Sequence, residues 1–256
     1  MGADANDNPS WEELSEQELL DRIDRQRLPQ HIAVIMDGNR RWAKKRHLPV
    51  IFGHKEGVNA FRRVMETSRT LGIKILTAYA FSAENWQRAP SEVSLLMQLF
   101  EYYVKAERDN MMRNGIRFCC IGKVDVLPEA VCRELRRTEE LTAGNTDMIL
   151  NLAVNYGGRD EIVEAARSLA SRAVKGEIRV QDIDEAALSA SLWTAGQPDP
   201  DLLIRTSGEL RVSNFLLWQI AYAEFWFSSI LWPEMDAKAV YRAIVEYQRR
   251  ERRKGA

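Results

Sequence analysis

The stretch His31-Ile-Ala-Val-Ile-Met-Asp-Gly-Asn-Arg-Arg-Trp42 decides how this chain is read. Ile32 to Met36 is a continuous apolar run, the pattern of a strand buried on both faces. It stops at Asp37-Gly38-Asn39 and passes into Arg40, Arg41 and Trp42. Open α/β sheets bind ligands at the carboxyl ends of their strands. An aspartate there can hold a hard cation through oxygen. A glycine lets backbone N–H groups approach an anion, and guanidinium forks suit diphosphate oxygens. Taken alone, the stretch also fits a strand ending in an ordinary Asp-Gly turn.

Further strands are expected at 74–81, 116–121, 148–154, 202–204 and 225–227. Apolar residues at helical spacing predict helices over 53–71, about 90–113, 128–141, 160–174 and 236–250, with a smaller one at 185–193. A helix is also expected over 214–221. Ser10-Trp11-Glu12-Glu13 reads as a capping box opening a short amphipathic helix that Pro29 ends. Residues 1–28 are thus expected to be a flexible acidic tail and short helix, ahead of a catalytic domain at 29–256. Alternating strands and helices imply an α/β fold, a parallel sheet covered on both faces. No internal repeat or low-complexity linker divides it.

Composition excludes several classes. The 256 residues are 45% hydrophobic and 29% charged, ordinary for a globular chain. A formal net charge of −1 offers no global field for nucleic acid. Three cysteines without framework spacing suit a reducing compartment, and the isolated histidines argue against zinc. Residues 1–10 lack the apolar segment of a signal peptide, and no apolar run has the length of a membrane span. The expectation is a cytoplasmic protein.

Polar clusters follow four of the expected strands, at 37–42, 82–88, 155–159 and 205–213. In a parallel sheet these ends share one edge. Pooled there are Asp37, Glu84 and the arginines at 40, 41, 88, 159, 205 and 211, with Ser82, Asn39, Asn85, Thr206 and Ser213. Many arginines, few carboxylates and no nucleophile–base pair suit a polyanion, and Mg2+ with phosphate oxygens fits. No G-x-x-x-x-G-K-[ST], G-x-G-x-x-G or G-x-S-x-G element occurs to suggest a P-loop, dinucleotide or hydrolase site.

The ordered segments 31–42, Gly53-His54, Tyr79-Ala-Phe-Ser-Ala-Glu-Asn-Trp86, Asn155-Tyr-Gly-Gly-Arg159, Asp201-Leu-Leu-Ile-Arg-Thr-Ser-Gly-Glu209 and Arg211-Val-Ser-Asn-Phe-Leu-Leu-Trp-Gln-Ile-Ala-Tyr-Ala-Glu224 resemble the signature segments of the cis-prenyltransferases, the Z-isoprenyl diphosphate synthases. The resemblance runs from about 30 to 255. It implies a six-stranded parallel sheet surrounded by helices, with an apolar tunnel. The activity implied is repeated condensation of isopentenyl diphosphate onto farnesyl diphosphate, giving a long Z-polyprenyl diphosphate such as the lipid carrier undecaprenyl diphosphate. It also implies Mg2+ and a homodimer.

By the same resemblance Asp37 matches the metal-binding aspartate and Glu224 a second metal carboxylate. Gly38, Asn39, Arg40 and Arg41 match the cradle for the allylic diphosphate, with Trp42 beside it. His54 and Arg88 match further diphosphate-site residues. Arg205, Arg211 and Ser213, with Val212 between them, match the isopentenyl diphosphate site. Asn85 matches the residue assigned as proton acceptor, within the segment Ser82, Ala83, Glu84 and Trp86. A neutral amide is a poor base, so orienting a substrate suits Asn85 better. Met148 and Ala80 are candidates for the tunnel floor, and Arg253-Lys-Gly255 matches an element that crosses the dimer interface. The basic run 249–254 suits a solvated helix end and also peripheral contact with anionic lipid at the inner face of the membrane.

The match has departures. Val50 stands where many relatives carry an arginine for the starter's diphosphate, with Arg46 or Arg40 as compensation. Arg40 replaces a common glycine, Ala83 a serine or threonine, and Leu210 a histidine. Three rival readings stand at this level: a family member making another chain length, a non-catalytic prenyltransferase-like partner subunit, and, without the resemblance, a phosphate-binding regulatory domain. Intact Asp37, Asn39, Arg205, Arg211 and Glu224 argue against the second.

Overall fold

The computed structural model describes residues 13–250. In chain order the elements are α1 (Glu16–Asp21), β1 (His31–Ile35), α2 (Asn39–Lys45), α3 (Val50–Leu71), β2 (Ile75–Ser82), α4 (Pro90–Arg113), β3 (Ile116–Ile121), α5 (Glu129–Thr142), β4 (Met148–Tyr156), α6 (Gly158–Val174), α7 (Glu185–Ser189), β5 (Leu202–Arg205), β6 (Glu224–Phe227) and α8 (Ala237–Gln248). The six strands form one sheet in the order β3-β4-β2-β1-β5-β6, every pair parallel.

The order explains where the ligand edge lies. The chain leaves β1 for β2 on one side and returns as β5 on the other. The carboxyl ends of β1 and β5 therefore flank a switch point, the crevice where open sheets take ligands. Within β1 successive side chains face opposite ways. Ile32 and Val34 join Val64, Met65, Leu76, Phe118, Leu135 and Ile244 in the larger core. Ala33 and Ile35 join Tyr79, Ala153, Tyr156 and Phe215 in a second core on the other face.

Two expectations change and one helix is added. The first helix is capped by Ser15, whose backbone N–H donates to Glu18 at 2.7 Å while the Glu18 N–H donates to Ser15 Oγ. The Ser10–Glu12 part of the expected box, the tail and the Arg253–Gly255 element lie outside the described residues. The stretch 39–45 forms α2, with Gly38 before it in the left-handed region at φ 116°. Gly53 and Gly57 allow this, because a Cβ at either would run into Asn39. The stretch 214–221 is not a helix: Ser213, Asn214 and Leu216 have φ of 47°, 61° and 45°, which a helix cannot contain.

Residues 13–28 pack into the body of the fold. Leu14, Leu19 and Ile23 are buried in the larger core. Gln248 on α8 accepts from the Asp24 N–H and donates to the Asp24 carbonyl.

Candidate active site

A cleft of about 720 Å³ opens at the carboxyl ends of β1, β2 and β5. Asp37, Gly38, Asn39, Arg40, Arg41, His54, Ser82, Glu84, Asn85, Arg88, Arg205, Arg211 and Ser213 line it. The motifs separated along the chain thus meet in one cavity.

Asp37 sits at its centre. The backbone is fixed first: the Asp37 N–H donates to Thr206 Oγ1 at 3.1 Å, and its carbonyl accepts from the Thr206 hydroxyl and the Trp232 N–H. Each carboxylate oxygen then faces an arginine, Arg41 at 3.3 Å on Oδ1 and Arg205 at 3.0 Å on Oδ2. Arg205 ends β5 and is 3% exposed. It also donates to Ser213 Oγ at 2.7 Å and to the Arg211 carbonyl, while its Nε has no protein partner. Arg41 donates to the Ser207 carbonyl and hydroxyl and pairs with Glu209 at 3.2 Å. Arg211 pairs with Glu209 on the exposed rim.

The other wall is looser. Arg40 stands 3.9 Å from Glu92, Arg88 3.2 Å and His54 3.6 Å. Burial, followed by the Arg88 guanidinium, pushes the His54 imidazole below the ordinary histidine value despite Glu92. It is therefore neutral near pH 7. Its buried Nε2 has no hydrogen-bond partner, and neither has Asn39 Oδ1. Buried polar atoms without partners are uncommon in finished cores.

After β2 the chain makes a short 3-10 turn, Ala83–Gln87. The Ser82 N–H donates to Asn85 Oδ1 at 3.2 Å, so the amide oxygen of Asn85 is already engaged. Burial opposes ionisation of Glu84, but hydrogen bonds from Asn214, its own backbone and Ser82 outweigh it and hold the carboxyl below its usual range.

Some expected residues stand elsewhere. Trp42 is half-buried under the Arg46 guanidinium, 4.3 Å from its ring, and Arg46 pairs with Glu234. Arg40 lines the cleft and Arg46 does not. Trp86 turns from the cleft to donate to Asn155 Oδ1 at 2.8 Å. Ala83 opens the 3-10 turn, and Val212 packs on the second core. Glu224 stands apart from the cleft. It registers with Leu202, which registers with Ile32. At about 3.3 Å per residue it lies roughly 16 Å along the strands from Asp37, towards the amino edge. Its carboxylate meets Arg250 at 2.9 Å, so within one chain it shares no metal with Asp37.

Behind the cleft is an apolar cavity of about 140 Å³ between α3, α4 and the sheet. Met36, Asn39, His54, Tyr79, Ala80 and Leu96 line both spaces. Leu150, Leu152, Phe118 and Met111 line the apolar part. Ala80 stands at the junction. Met148 is buried two residues beyond Leu150 and does not line the cavity.

Sequence reasoning missed Glu92 and Glu209, which hold the arginines, and Asn214, which joins Glu84 to the 213–216 turn. Glu92 reads as a first-turn acid that complements the helix dipole, a signal with no hint of His54 or Arg88.

A parallel α/β sheet whose switch-point edge carries a carboxylate, clustered arginines and an adjoining apolar cavity has the make-up of an enzyme site. Residues 35–255 match the prenyltransferase family model, of undecaprenyl diphosphate synthase. The chain belongs to that family and is a transferase of prenyl groups. An isoprenyl transferase of Heliobacterium mobile is 51% identical, with 94% of this chain and 92% of the relative covered. The (2E,6E)-farnesyl-diphosphate-specific ditrans,polycis-undecaprenyl-diphosphate synthase of Vibrio parahaemolyticus is 48% identical over 89% and 91%. Among solved structures, lavandulyl diphosphate synthase from Lavandula x intermedia, in complex with dimethylallyl diphosphate, superposes with a TM-score of 0.87 at 39% identity, covering 90% of this chain and 99% of that one. A probable undecaprenyl diphosphate synthase from Campylobacter jejuni gives 0.74 at 32% identity, covering 89% and 99%.

Proposed function

We propose that the chain condenses isopentenyl diphosphate repeatedly onto farnesyl diphosphate, and that the product is undecaprenyl diphosphate. The observation that carries this is the continuity of the two cavities: an arginine-lined cleft for diphosphates shares His54, Asn39, Tyr79 and Ala80 with a dry apolar space. The identity to the farnesyl-specific relative supports the choice of starter.

In this reading the allylic diphosphate takes the cradle at Gly38 to Arg41, with His54 and Arg88, and its tail enters the apolar cavity. Arg205, Arg211 and Ser213 grip the diphosphate of the second substrate. As the allylic C–O bond breaks, negative charge grows on the leaving diphosphate, and fixed guanidinium groups stabilise it. The new C–C bond forms at the allylic carbon, and the proton lost from the isopentenyl unit passes to a diphosphate oxygen or a carboxylate. Asn85 orients that unit, since its amide oxygen already accepts a backbone N–H.

Among the described residues no three His, Cys, Asp or Glu side chains form a metal cluster. Mg2+ does not require one, since it takes one or two carboxylates with phosphate oxygens and water. Asp37, and Asn39 with its buried unpartnered Oδ1, are oxygen donors of that kind and hold it in this reading. Mg2+ supplies charge neutralisation at the diphosphate. Residues 29–256 form the catalytic unit. In this reading the active form is a homodimer. No described helix is long and apolar enough to cross a membrane, and the apolar product suits contact with a lipid surface through the basic C-terminal run.

The test is incubation with farnesyl diphosphate, labelled isopentenyl diphosphate and Mg2+, with products sized by chromatography. A magnesium-dependent polymer co-migrating with undecaprenyl diphosphate is expected. A shorter product supports the second reading, another chain length, for which the likeness to lavandulyl diphosphate synthase speaks. No polymer at all removes the proposal.

A further inference from the structure

On the face of the sheet away from the apolar cavity lies a buried carboxyl that touches no cleft residue. Glu161, in the first turn of α6, is 1% exposed. Its Oε2 accepts from the Tyr156 hydroxyl at 2.5 Å and from Gln219 Nε2 at 3.1 Å. Its Oε1 accepts from the Trp193 N–H at 2.9 Å. Gln219, 2% exposed, also donates to Thr194 Oγ1 at 3.0 Å. One side chain thus joins the end of β4, the start of α6, the 193–194 turn and the segment after Ser213.

That segment is where the backbone is least relaxed. Ser213, Asn214 and Leu216 all have positive φ. Non-glycine residues in this region persist only where their surroundings over-determine them. At the leading end, the Gly158 N–H donates to the Asn214 carbonyl at 2.7 Å and the Arg159 N–H to Asn214 Oδ1 at 2.9 Å. In the middle, Phe215 stacks on Tyr79 with ring centroids 4.4 Å apart, and its other ring neighbour is Tyr156 at 5.8 Å. At the trailing end, Gln219 is tied to Glu161. The strained turn carries the Ser213 hydroxyl and follows the Arg211 carbonyl, the two groups that receive Nη1 of the buried Arg205. It also carries Asn214, which donates to Glu84 across the cleft at 2.9 Å.

We infer that Glu161 is a positioning residue of the isopentenyl diphosphate clamp, acting through Tyr156 and Gln219 to hold the 213–216 turn in the conformation that aims Ser213 and Arg205. The inference rests on the proposed reaction and deepens it. Glu161 meets neither substrate. Losing its acceptors leaves the Tyr156 hydroxyl and the Trp193 N–H without this partner and Gln219 held by Thr194 alone, and buried donors short of partners drive local rearrangement. The turn relaxes towards ordinary φ, and Ser213 leaves Arg205. The allylic cradle on β1, α2 and α3 shares none of these bonds.

The experiment measures isopentenyl diphosphate and farnesyl diphosphate binding by calorimetry, with steady-state KM for each. It compares the full-length chain with Glu161→Ala, Glu161→Gln and Gln219→Leu. Expected is a rise of at least tenfold in KM and Kd for isopentenyl diphosphate in Glu161→Ala and Gln219→Leu, with farnesyl diphosphate values within twofold. Glu161→Gln should recover most of the loss, since its amide oxygen can still accept from Trp193 and its amide nitrogen can donate to Gln219 once the Gln219 amide turns its vacant Oε1 towards it, where Oε1 can also accept from the Thr194 hydroxyl. Equal losses for both substrates, or isopentenyl diphosphate values within twofold of wild type in a folded Glu161→Ala or Gln219→Leu chain, overturn the inference. A wild-type chain that binds no isopentenyl diphosphate overturns the proposed reaction instead.

Discussion

The sheet carries polar side chains in both its halves, and the two halves use them differently. In the amino half, His31 Nδ1 meets the Pro198 carbonyl at 2.8 Å and Nε2 meets Thr77 Oγ1 at 2.7 Å. Asn151 donates to Thr77 and to Gln197, and Gln197 donates back. Asp201 accepts the backbone N–H groups of Gln30 and His31. Every one of these groups is satisfied inside the protein. At the carboxyl edge, Arg205 Nε, His54 Nε2 and Asn39 Oδ1 are buried without partners, and the loops there hold Ser207, Ser213 and Asn214 at positive φ. A closed polar network stabilises a fold. An open one, held in a strained frame, is arranged for a ligand.

The contrast is broken most sharply at Asp37. Asp37→Asn keeps an oxygen towards Arg205 and removes the charge that faces both arginines and the proposed metal. Turnover is expected to fall about 10³-fold, with the urea unfolding midpoint near that of wild type. Near-normal turnover in the product assay would show that the open edge is not the reaction centre.

The closed half should respond in stability. Burial pushes the His31 imidazole down to about 4, against the upward pull of the Pro198 carbonyl and Asp201. An unfolded histidine titrates near 6.5. Below that pH the unfolded chain binds a proton that folded His31 refuses. Stability from this residue is therefore complete above about 6.5, declines as pH falls to about 4, and changes no further below. The loss approaches about 3 kcal/mol. His54, also lowered, adds to the same slope. Urea titrations at stepped pH should show a shallower decline in His31→Gln than in wild type, and identical slopes would remove His31 as the source.

Asn151→Ala leaves Thr77 and Gln197 short of partners in a buried place. The expected cost is about 1–3 kcal/mol in unfolding free energy, with KM for both substrates unchanged. A KM shift without a stability loss would join the two halves and dissolve the contrast.

How far the sequence carries depends on what each element needs. The strands are legible where burial on both faces writes them as apolar runs, as in Ile32–Ile35 and Leu202–Ile204. The cluster after each strand is legible because parallel strands end at one edge. Conformation hidden in φ is not. Asn214 to Ala221 has helical composition, yet Leu216 turns left-handed under Phe215. No element is expected over 39–45, although helix formers following Gly38 and preceding Pro49 were a usable signal for α2. Glu224 shows the limit of motif matching: the motif places it near Arg211 in sequence, and β6 then carries it to the amino edge.

Glu92 gives the smallest effect and the finest division within the open edge. Its side chain is 14% exposed and faces His54, Arg88 and Arg40 at 3.6, 3.2 and 3.9 Å. It is the only carboxylate among these three groups in the described ion pairs. Without ligand it restrains the guanidinium groups near His54. Holding them in place before the substrate arrives, and staying beside them afterwards, spares the ordering cost of binding. Glu92→Gln keeps the shape and removes the charge. KM for the allylic diphosphate should rise about tenfold, equivalent to about 1.4 kcal/mol, and isopentenyl diphosphate KM should not move, because Arg205 and Ser213 do not touch it. Loss of affinity for both diphosphates would mean that the two walls act as one site. A fall in allylic KM would mean that Glu92 competes with the substrate for the arginines rather than arranging them.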